Sequence, residues 1–362
     1  MPPADASGFC KEICRFQRPK SGAVNDKTKR VLSFTIKLMD SEKFFIEKGV
    51  GQMIKNVAIV GMGALGILFG GEIAENLSDG HVSFVMDSKR AERHRNDTYS
   101  INGREVSYPI ETPEEFLKEG KADLILIGVK FPTLSDALDL MEPLVYEGTT
   151  FVSMMNGISS ERIIGERFGL EKVIYTVSQG MDAQREGTGI VYSRHGELFI
   201  GVPKDANDGS KKRLEETAEL FKKCKVPHTV EPEIMYRLWS KFMLNVGINQ
   251  VCMVFDTGYD GATKPGSEAF AFTVGAMREV VSVGQAEGID IGEKEINQYL
   301  DIIGSLDPKA IPSMGQDRQQ KRASEVDMFA GEVIALGKKH GIKVPANEYL
   351  LRRVKEIEKE YV

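Results

Sequence analysis

Cysteine is scarce. Cys10, Cys14, Cys224 and Cys252 are the whole complement of 362 residues. That is too few for a disulfide framework, and the expected compartment is a reducing cytosol. Cys10 and Cys14 stand four apart and can share a helix face, but a closed zinc site takes four ligands, so no metal is expected there. The five histidines (His81, His94, His195, His228 and His340) lack the close spacings of a metal motif, and each is expected on the surface or in a loop. No uninterrupted apolar run reaches the ~20 residues that cross a bilayer, which excludes a membrane-spanning helix. An excess of basic residues is also missing: 47 Lys and Arg stand against 53 Asp and Glu, a formal net charge of -6. A nucleic-acid partner held by phosphate neutralisation is therefore not expected. Any anionic ligand has to be held by local cations and backbone amides.

The rest of the composition, 41% hydrophobic and 28% charged, is that of a globular protein long enough for two cores. Residues 1–52 do not read as the start of a fold. They include the polar, basic stretch "RPKSGAVNDKTKR" and lack the apolar core of a signal peptide. They are read as an extension, with the functional domain beginning near Met53 and deletion of the extension tolerated. From Met53 the apolar runs "NVAIVG", "VSFVMD", "ADLILIGVK" and "TTFVSMMNG" alternate with helical stretches, as in a parallel sheet buried on both faces. "KVIYTVSQGMDA" and "GIVYSRHGELFIGVP" suggest an antiparallel extension of that sheet, and "VPHTVEP" a last short strand. After about Glu231 only helical patterns remain, including one expected from about Gln316 to His340. The fold class is thus an α/β Rossmann-type domain over 53–230, followed by an all-α domain over 231–362.

Gly61, Met62, Gly63, Ala64, Leu65 and Gly66 spell G-x-G-x-x-G between a strand and a helix. The first glycine permits a tight turn, the second lets backbone approach a pyrophosphate, and the third packs helix on strand. The phosphate then meets free amides at the positive end of the helix. Asp87 ends the second strand about twenty residues later, where a dinucleotide fold keeps its ribose-binding acid. A carboxylate there accepts the ribose hydroxyls of NADH and repels the 2'-phosphate of NADPH, whereas Lys89 and Arg90 beside it can clamp that phosphate. Both cofactors stay open on these residues.

A second constellation lies on the helix from about Glu233. Lys241, Asn245 and Asn249, at i, i+4 and i+8, make one polar stripe among Trp239, Phe242, Met243, Val246 and Ile248. A lysine in such surroundings ordinarily snorkels to water, yet two asparagines on the same face need partners that a carboxylate or hydroxyl of a substrate supplies. Partial burial also lowers a lysine from its usual ~10.4, making it a better proton donor near neutrality. Further on, Ser313 followed by Gln316 is a capping-box pattern, compatible with a substrate carboxylate at the same helix start. Glu325 and Asp327 read, taken alone, as acids on a solvated face.

Taken together, the residues from about Met53 onward resemble the ketopantoate reductase family. The motifs are "GMGALG", "GVK" at 128–130, "MNG" at 155–157, "WSKFMLNVGIN" at 239–249, "PSMGQD" at 312–317 and "SEVDMFAGE" at 324–332. The resemblance implies hydride transfer from a nicotinamide cofactor to the C2 carbonyl of ketopantoate, giving pantoate for pantothenate and coenzyme A synthesis. It implies Lys241 as general acid and Glu325 as the acid bonding the substrate hydroxyl. Asn245, Asn249 and Ser313 are implied as substrate contacts, and Asn156 and Lys130 as lining cofactor and reaction centre. A Rossmann domain joined to a helical domain with the site between them is the implied fold, and a homodimer through the helical domain is the expected assembly. The family's usual arginine near the end of the second strand is replaced here by Asp87. NADPH is the cofactor the family implies, with NADH the alternative that Asp87 opens. A reductase of another 2-oxo acid, a β-hydroxyacid dehydrogenase and an inactive cofactor-binding regulator are the competing readings.

Overall fold

A computed structural model describes residues 53–361. Residues 1–52, with the expectation attached to them, lie outside the described residues. The strands are β1 (Asn56–Val60), β2 (His81–Val85), β3 (Tyr99–Ile101), β4 (Arg104–Val106), β5 (Ile110–Glu111), β6 (Leu124–Ile127), β7 (Thr150–Ser153), β8 (Val173–Gln179), β9 (Gln184–Glu186), β10 (Gly189–Val191), β11 (Glu197–Gly201) and β12 (His228–Val230). Eight of them form one sheet in the order β12-β11-β8-β7-β6-β1-β2-β5. Every pairing in it is parallel except β8 with β11. The sequence reason is plain in β6: "LILI" has all four residues buried, which only a sheet covered on both faces allows.

The remaining strands pair as a separate small sheet, β4-β3-β10-β9. This corrects one expectation. "GIVYSRHGELFIGVP" divides between the two sheets: Gly189–Val191 pairs with β3 and β9, and only Glu197–Gly201 extends the main sheet. Gly196 in the left-handed region (φ +73°) lets the chain cross between them. Two- and three-residue strands carry too little alternation to register as period-two patterns.

Helices flank the sheet as α1 (Gly71–Asn76), α2 (Ser88–His94), α3 (Leu134–Met141), α4 (Ser160–Phe168) and α5 (Asp208–Lys223). The helical part comprises α6 (Ile234–Phe255), α7 (Glu268–Ala286), α8 (Glu293–Gly304), α9 (Ser313–Gln319), α10 (Glu332–His340) and α11 (Pro345–Glu358), with a five-residue turn at Tyr259–Thr263. Burial follows the strand pleat. Val57, Ile59, Leu124, Leu126 and Val152 point to one core, while Ala58, Ile125 and Phe151 join a cluster that continues into Phe242, Met277 and Leu350 of the helices. Among the described residues no helix is long and apolar enough to cross a membrane.

The helix expected from about Gln316 to His340 is in fact broken. Helix α9 ends in a left-handed Lys321 (φ +51°), with Arg322 N–H bonded to the Asp317 carbonyl at 2.8 Å and Lys321 N–H to that of Arg318 at 3.1 Å. This is a Schellman stop with lysine where glycine is usual, so the sequence carries no breaker signal. A lysine in this conformation costs more than glycine. Lys321→Gly is expected to stabilise the fold by about 0.5–1 kcal/mol, read as an increase in denaturant midpoint at unchanged slope. An unchanged or lower midpoint would show that the lysine side chain contributes more than its backbone costs.

The histidine expectation holds for His195, in the loop between β10 and β11, and is corrected for the other four. All five are half-buried, and His81, His94, His228 and His340 sit in or at the ends of regular elements. Each has a carboxylate or carbonyl partner: Glu111, Asp97, Glu72 (with His195), the Val226 carbonyl (with His228) and Glu287. All five thus make structural contacts, His195 from within its loop.

Candidate active site

The glycine turn follows β1 and is held at van der Waals limits. A Cβ on Gly61, whose φ is +111°, would stand 2.6 Å from the Gly128 carbonyl group. One on Gly66 would stand 2.0 Å from the Gly61 carbonyl oxygen. The turn and the end of β6 therefore approach so closely that only hydrogens fit. Met62 is buried, Ala64 and Leu65 are half-buried against the core, and no side chain caps the helix start that follows. This uncapped start and its bare backbone fit the pyrophosphate of a dinucleotide. Residues Gly66–Gly70 form a π turn before α1. A second π turn spans Asp327–Gly331, two residues after Glu325. Such turns recur at functional sites because each re-aims the side chains around it.

Asp87 stands at the end of β2 as expected, but its carboxylate already has work. It is the N-cap of α2, accepting from the Arg90 N–H at 3.1 Å. Lys89 and Arg90 are exposed beside it. Arg185, from the small sheet, was not legible in the sequence. Its guanidinium donates to the Met62 carbonyl and lies 5.8 Å from the Tyr99 ring, whose hydroxyl meets Met62 Sδ at 3.6 Å. A cation is thus fixed against the glycine turn by a residue more than a hundred positions away in sequence.

Lys241 is positioned from both ends of its side chain. One turn earlier on α6, Arg237 bonds Glu231 at 2.7 Å and Gln179 at 3.0 Å and lies 3.7 Å over the Phe199 ring, locking the helix to β8 and β11. The Lys241 ammonium then donates to the Ser178 carbonyl at 2.5 Å and to Asn156 Oδ1 at 3.0 Å. Asn156 Nδ2 in turn donates to Glu325 Oε2 at 3.3 Å. One amide therefore joins the lysine to the carboxyl, and the two bonds together fix which way it points. Gly157, at φ +86°, makes this possible: a Cβ there would lie 2.7 Å from Met328 Cγ, so the loop after β7 packs straight onto the second π turn.

Burial sets the electrostatics. It pushes the Lys241 ammonium down to about 8, against the opposing pull of Glu325 and Glu161. It pushes the Glu325 carboxyl up, opposed by the Asn156 bond and by Lys130 and Lys241. A lysine and an acid drawn toward each other's range, with a hydrogen-bonding amide between them, is an arrangement suited to proton transfer near neutral pH. The expectation of Glu325 on a solvated face is thus overturned, whereas Asp327 is exposed and pairs with Lys355 at 2.6 Å. Glu325 owes its place to Ser324, clamped to Glu358 of α11 at 2.7 and 2.6 Å, and to the π turn. The Ala330 N–H there bonds Gln250 of α6 at 3.1 Å.

Along the same face of α6, Asn249 Nδ2 reaches Asn245 Oδ1 at 3.5 Å and Ser313 Oγ at 3.3 Å. Ser313 does not cap its helix. Pro312 occupies the cap, and the Gln316 side chain donates back to the Ile311 carbonyl at 3.1 Å, so the capping-box pattern is filled differently and the hydroxyl turns to Asn249. Lys130, exposed, pairs with Asp317 at 3.4 Å, and Arg322 holds that same carboxylate at 3.1 and 3.0 Å. Asp317 and Arg322 were missed as site residues, although Asp317 closes the quoted "PSMGQD" motif. Their signal was a buried acid ringed by cations, which only the fold reveals. Among the described residues no cluster of His, Cys, Asp and Glu is fit to hold a metal.

Two family models, described as ketopantoate reductase PanE/ApbA and its C-terminal part, match residues 57–205 and 233–358. The chain belongs to the ketopantoate reductase family. Relatives of that family include the 2-dehydropantoate 2-reductases of Streptococcus pyogenes serotype M6, 27% identical over 80% of this chain and 93% of the relative, and of Vibrio cholerae, 25% identical over 84% and 99%. A solved 2-dehydropantoate 2-reductase from Geobacter metallireducens is 25% identical with a TM-score of 0.69, covering 83% of this chain and 99% of its own. A D-mandelate dehydrogenase solved with NADH and anilino(oxo)acetate shares the ketopantoate reductase fold here, with a TM-score of 0.72 at 22% identity over 84% of this chain and 98% of its own. The Rossmann-plus-helical fold expected from the sequence is thus the observed one.

Proposed function

We propose that this chain is an oxidoreductase that reduces 2-dehydropantoate to pantoate with a nicotinamide cofactor. The single observation that supports this most is the chain of contacts Lys241–Asn156–Glu325 within a ketopantoate reductase fold. A carbonyl reduction needs no protein nucleophile, only a hydride source, a proton donor and groups that fix the substrate. The nicotinamide, when bound, supplies the hydride. Gly61, Met62, Gly63, Ala64, Leu65 and Gly66 are the residues read as holding it, with Asp87, Lys89, Lys130 and Asn156 along its length.

Lys241 is the proposed proton donor to the oxygen that gains charge, and its positive charge there is worth a few kcal/mol. Glu325 is proposed to bond the substrate hydroxyl, and Asn245, Asn249 and Ser313 to hold the opposite end. The cofactor-binding part is read as residues 53–230 and the substrate and dimerisation part as 231–362, in a cytoplasmic homodimer. Substrate is then bound between the ends of β7 and β8 and helix α6.

NADPH is the proposed cofactor, with Arg185, Lys89 and Arg90 the cations available for its phosphates. Asp87 is the residue that opposes it, and its capping role separates two variants. Asp87→Asn removes the charge and keeps a good cap; it is expected to raise the NADPH/NADH efficiency ratio severalfold, roughly 1 kcal/mol, at unchanged melting temperature. Asp87→Arg is expected to raise the ratio further and to cost about 1 kcal/mol of stability through the lost cap. An unmoved ratio in both would place the ribose elsewhere. The reaction itself is tested by following cofactor oxidation with 2-dehydropantoate, NADPH and NADH side by side. If both cofactors bind and neither is oxidised, the substrate assignment fails and other 2-oxo acids become the candidates.

A further inference from the structure

Glu161 has no part in the reaction just outlined, yet it is placed with care. It is the second residue of α4 and only 1% exposed. Its Oε2 accepts from the Ser160 hydroxyl at 2.8 Å, which lies 2.8 Å from the Ser153 hydroxyl at the end of β7. Its Oε1 has no partner of good hydrogen-bond geometry. Backbone N–H groups of Glu161 itself and of Thr176 also favour the anion, yet a carboxyl this deeply buried remains costly.

The surroundings show what the charge acts on. Glu161 lies against Thr176 of β8, and the Ser178 carbonyl two residues along that strand is the one that accepts from Lys241. The Glu161 carboxylate raises the proton affinity of Lys241, after burial and Glu325 in size, and Lys241 in turn lowers that of Glu161. The other titratable groups nearby are the Tyr175 phenol on β8 and Arg162, which is turned to Glu166 and Glu332. Glu325 reaches the same ammonium from the other side, through Asn156, at the place where substrate is proposed to bind.

We propose that Glu161 is a positioning residue for Lys241: the carboxylate sealed behind β8 is the fixed counter-charge that keeps the lysine protonated for its donor role. This rests on the reading of Lys241 as proton donor. Glu325 is the acid proposed to take up the substrate hydroxyl, whereas Glu161, closed off by Ser153 and Ser160, has no substrate group to meet. The acid behind the strand therefore holds the lysine's proton affinity steady through the catalytic cycle.

Burial raises the Glu161 carboxyl to about 7, so above that pH it is the anion, and the anion raises the proton affinity of Lys241. Removing it lets the lysine lose its proton at lower pH. In Glu161→Gln the alkaline limb of kcat for reduction is expected to move toward acid by ~0.5–1 pH unit. Glu161→Asp, which keeps the charge, is expected to return the limb toward the wild-type position. Ser160→Ala, which removes the bond favouring the anion, is expected to shift it in the same direction as Gln but less. It also serves if the Gln variant does not fold. A second readout does not depend on substrate: the Nζ resonance of Lys241 in protein labelled with 15N-lysine, assigned by its loss in Lys241→Arg, titrates lower in Glu161→Gln. A uniform loss of rate with the limb and the resonance both unmoved overturns the inference. A resonance that moves in a protein that does not reduce 2-dehydropantoate supports the Glu161 coupling and removes the substrate reading alone.

Discussion

Lys241→Ala is expected to lower turnover by a factor of at least ~100 while leaving cofactor affinity largely intact. The lysine's hydrogen bonds go to Asn156 and Ser178, so its loss removes the proposed proton donor and a positive charge without breaking a bond to the proposed phosphate site. The sign of its pH dependence follows from burial. Its proton affinity is lowered to about 8, so reduction falls as pH rises through that value, where the ammonium is lost. Lys241→Arg should not rescue the rate, because a guanidinium does not release its proton in this range and its planar fork does not fit a carbonyl and an amide oxygen set for an ammonium. Steady-state rates with cofactor titrations on the same samples check this. Unchanged turnover in Lys241→Ala would remove the residue from the chemistry.

Gly66→Ala is expected to abolish measurable cofactor binding, a loss of ~100-fold or more, and to destabilise the fold by about 1–3 kcal/mol. The added methyl would lie 2.0 Å from the Gly61 carbonyl oxygen and 3.1 Å from its carbon, and both are backbone, so the turn has to open. Gly275→Ala is the control. Its Cβ would meet only Ala346 Cβ at 3.5 Å, within a helix, where alanine is the better residue. Calorimetric titration with NADPH and NADH decides it. Wild-type affinity in Gly66→Ala would mean that the close turn is only a strand-to-helix connection.

Much of this architecture was legible because its signals are long. The parallel strands are uninterrupted apolar runs, and α6, α7, α8 and α11 are helical patterns of a dozen residues or more. The stripe Lys241, Asn245, Asn249 was readable because helical spacing alone places it on one face. What escaped the sequence depends on contacts between distant segments. Lys321 stops a helix without being glycine, and Ser313 leaves its cap for Asn249. The small sheet brings Arg185 to Met62 from strands of three residues. Glu325 reads as a surface acid until the Ser324–Glu358 clamp and the second π turn carry it inward. Glu161 has no local signal, since "SSER" is an ordinary helix start whose burial comes from the sheet it meets. Most candidate residues were therefore named from the sequence and the resemblance, while the electrostatics that tune them belong to the packing.

The two bonds of Lys241 have a consequence for the handedness of the product. An ammonium has three N–H bonds, and here the Ser178 carbonyl and Asn156 hold two of them. One direction remains for a substrate oxygen. A trigonal carbonyl held at its oxygen by the proposed donor and at its far end by the Asn245–Asn249–Ser313 group can still rotate about the line joining the two, so the proposed Glu325 bond to the substrate hydroxyl is the third point that would fix it. The same prochiral face is then offered at every turnover to a donor bound along the glycine turn. Stereochemical purity would thus rest on three polar contacts, the first of them aimed by two acceptor atoms on a lysine.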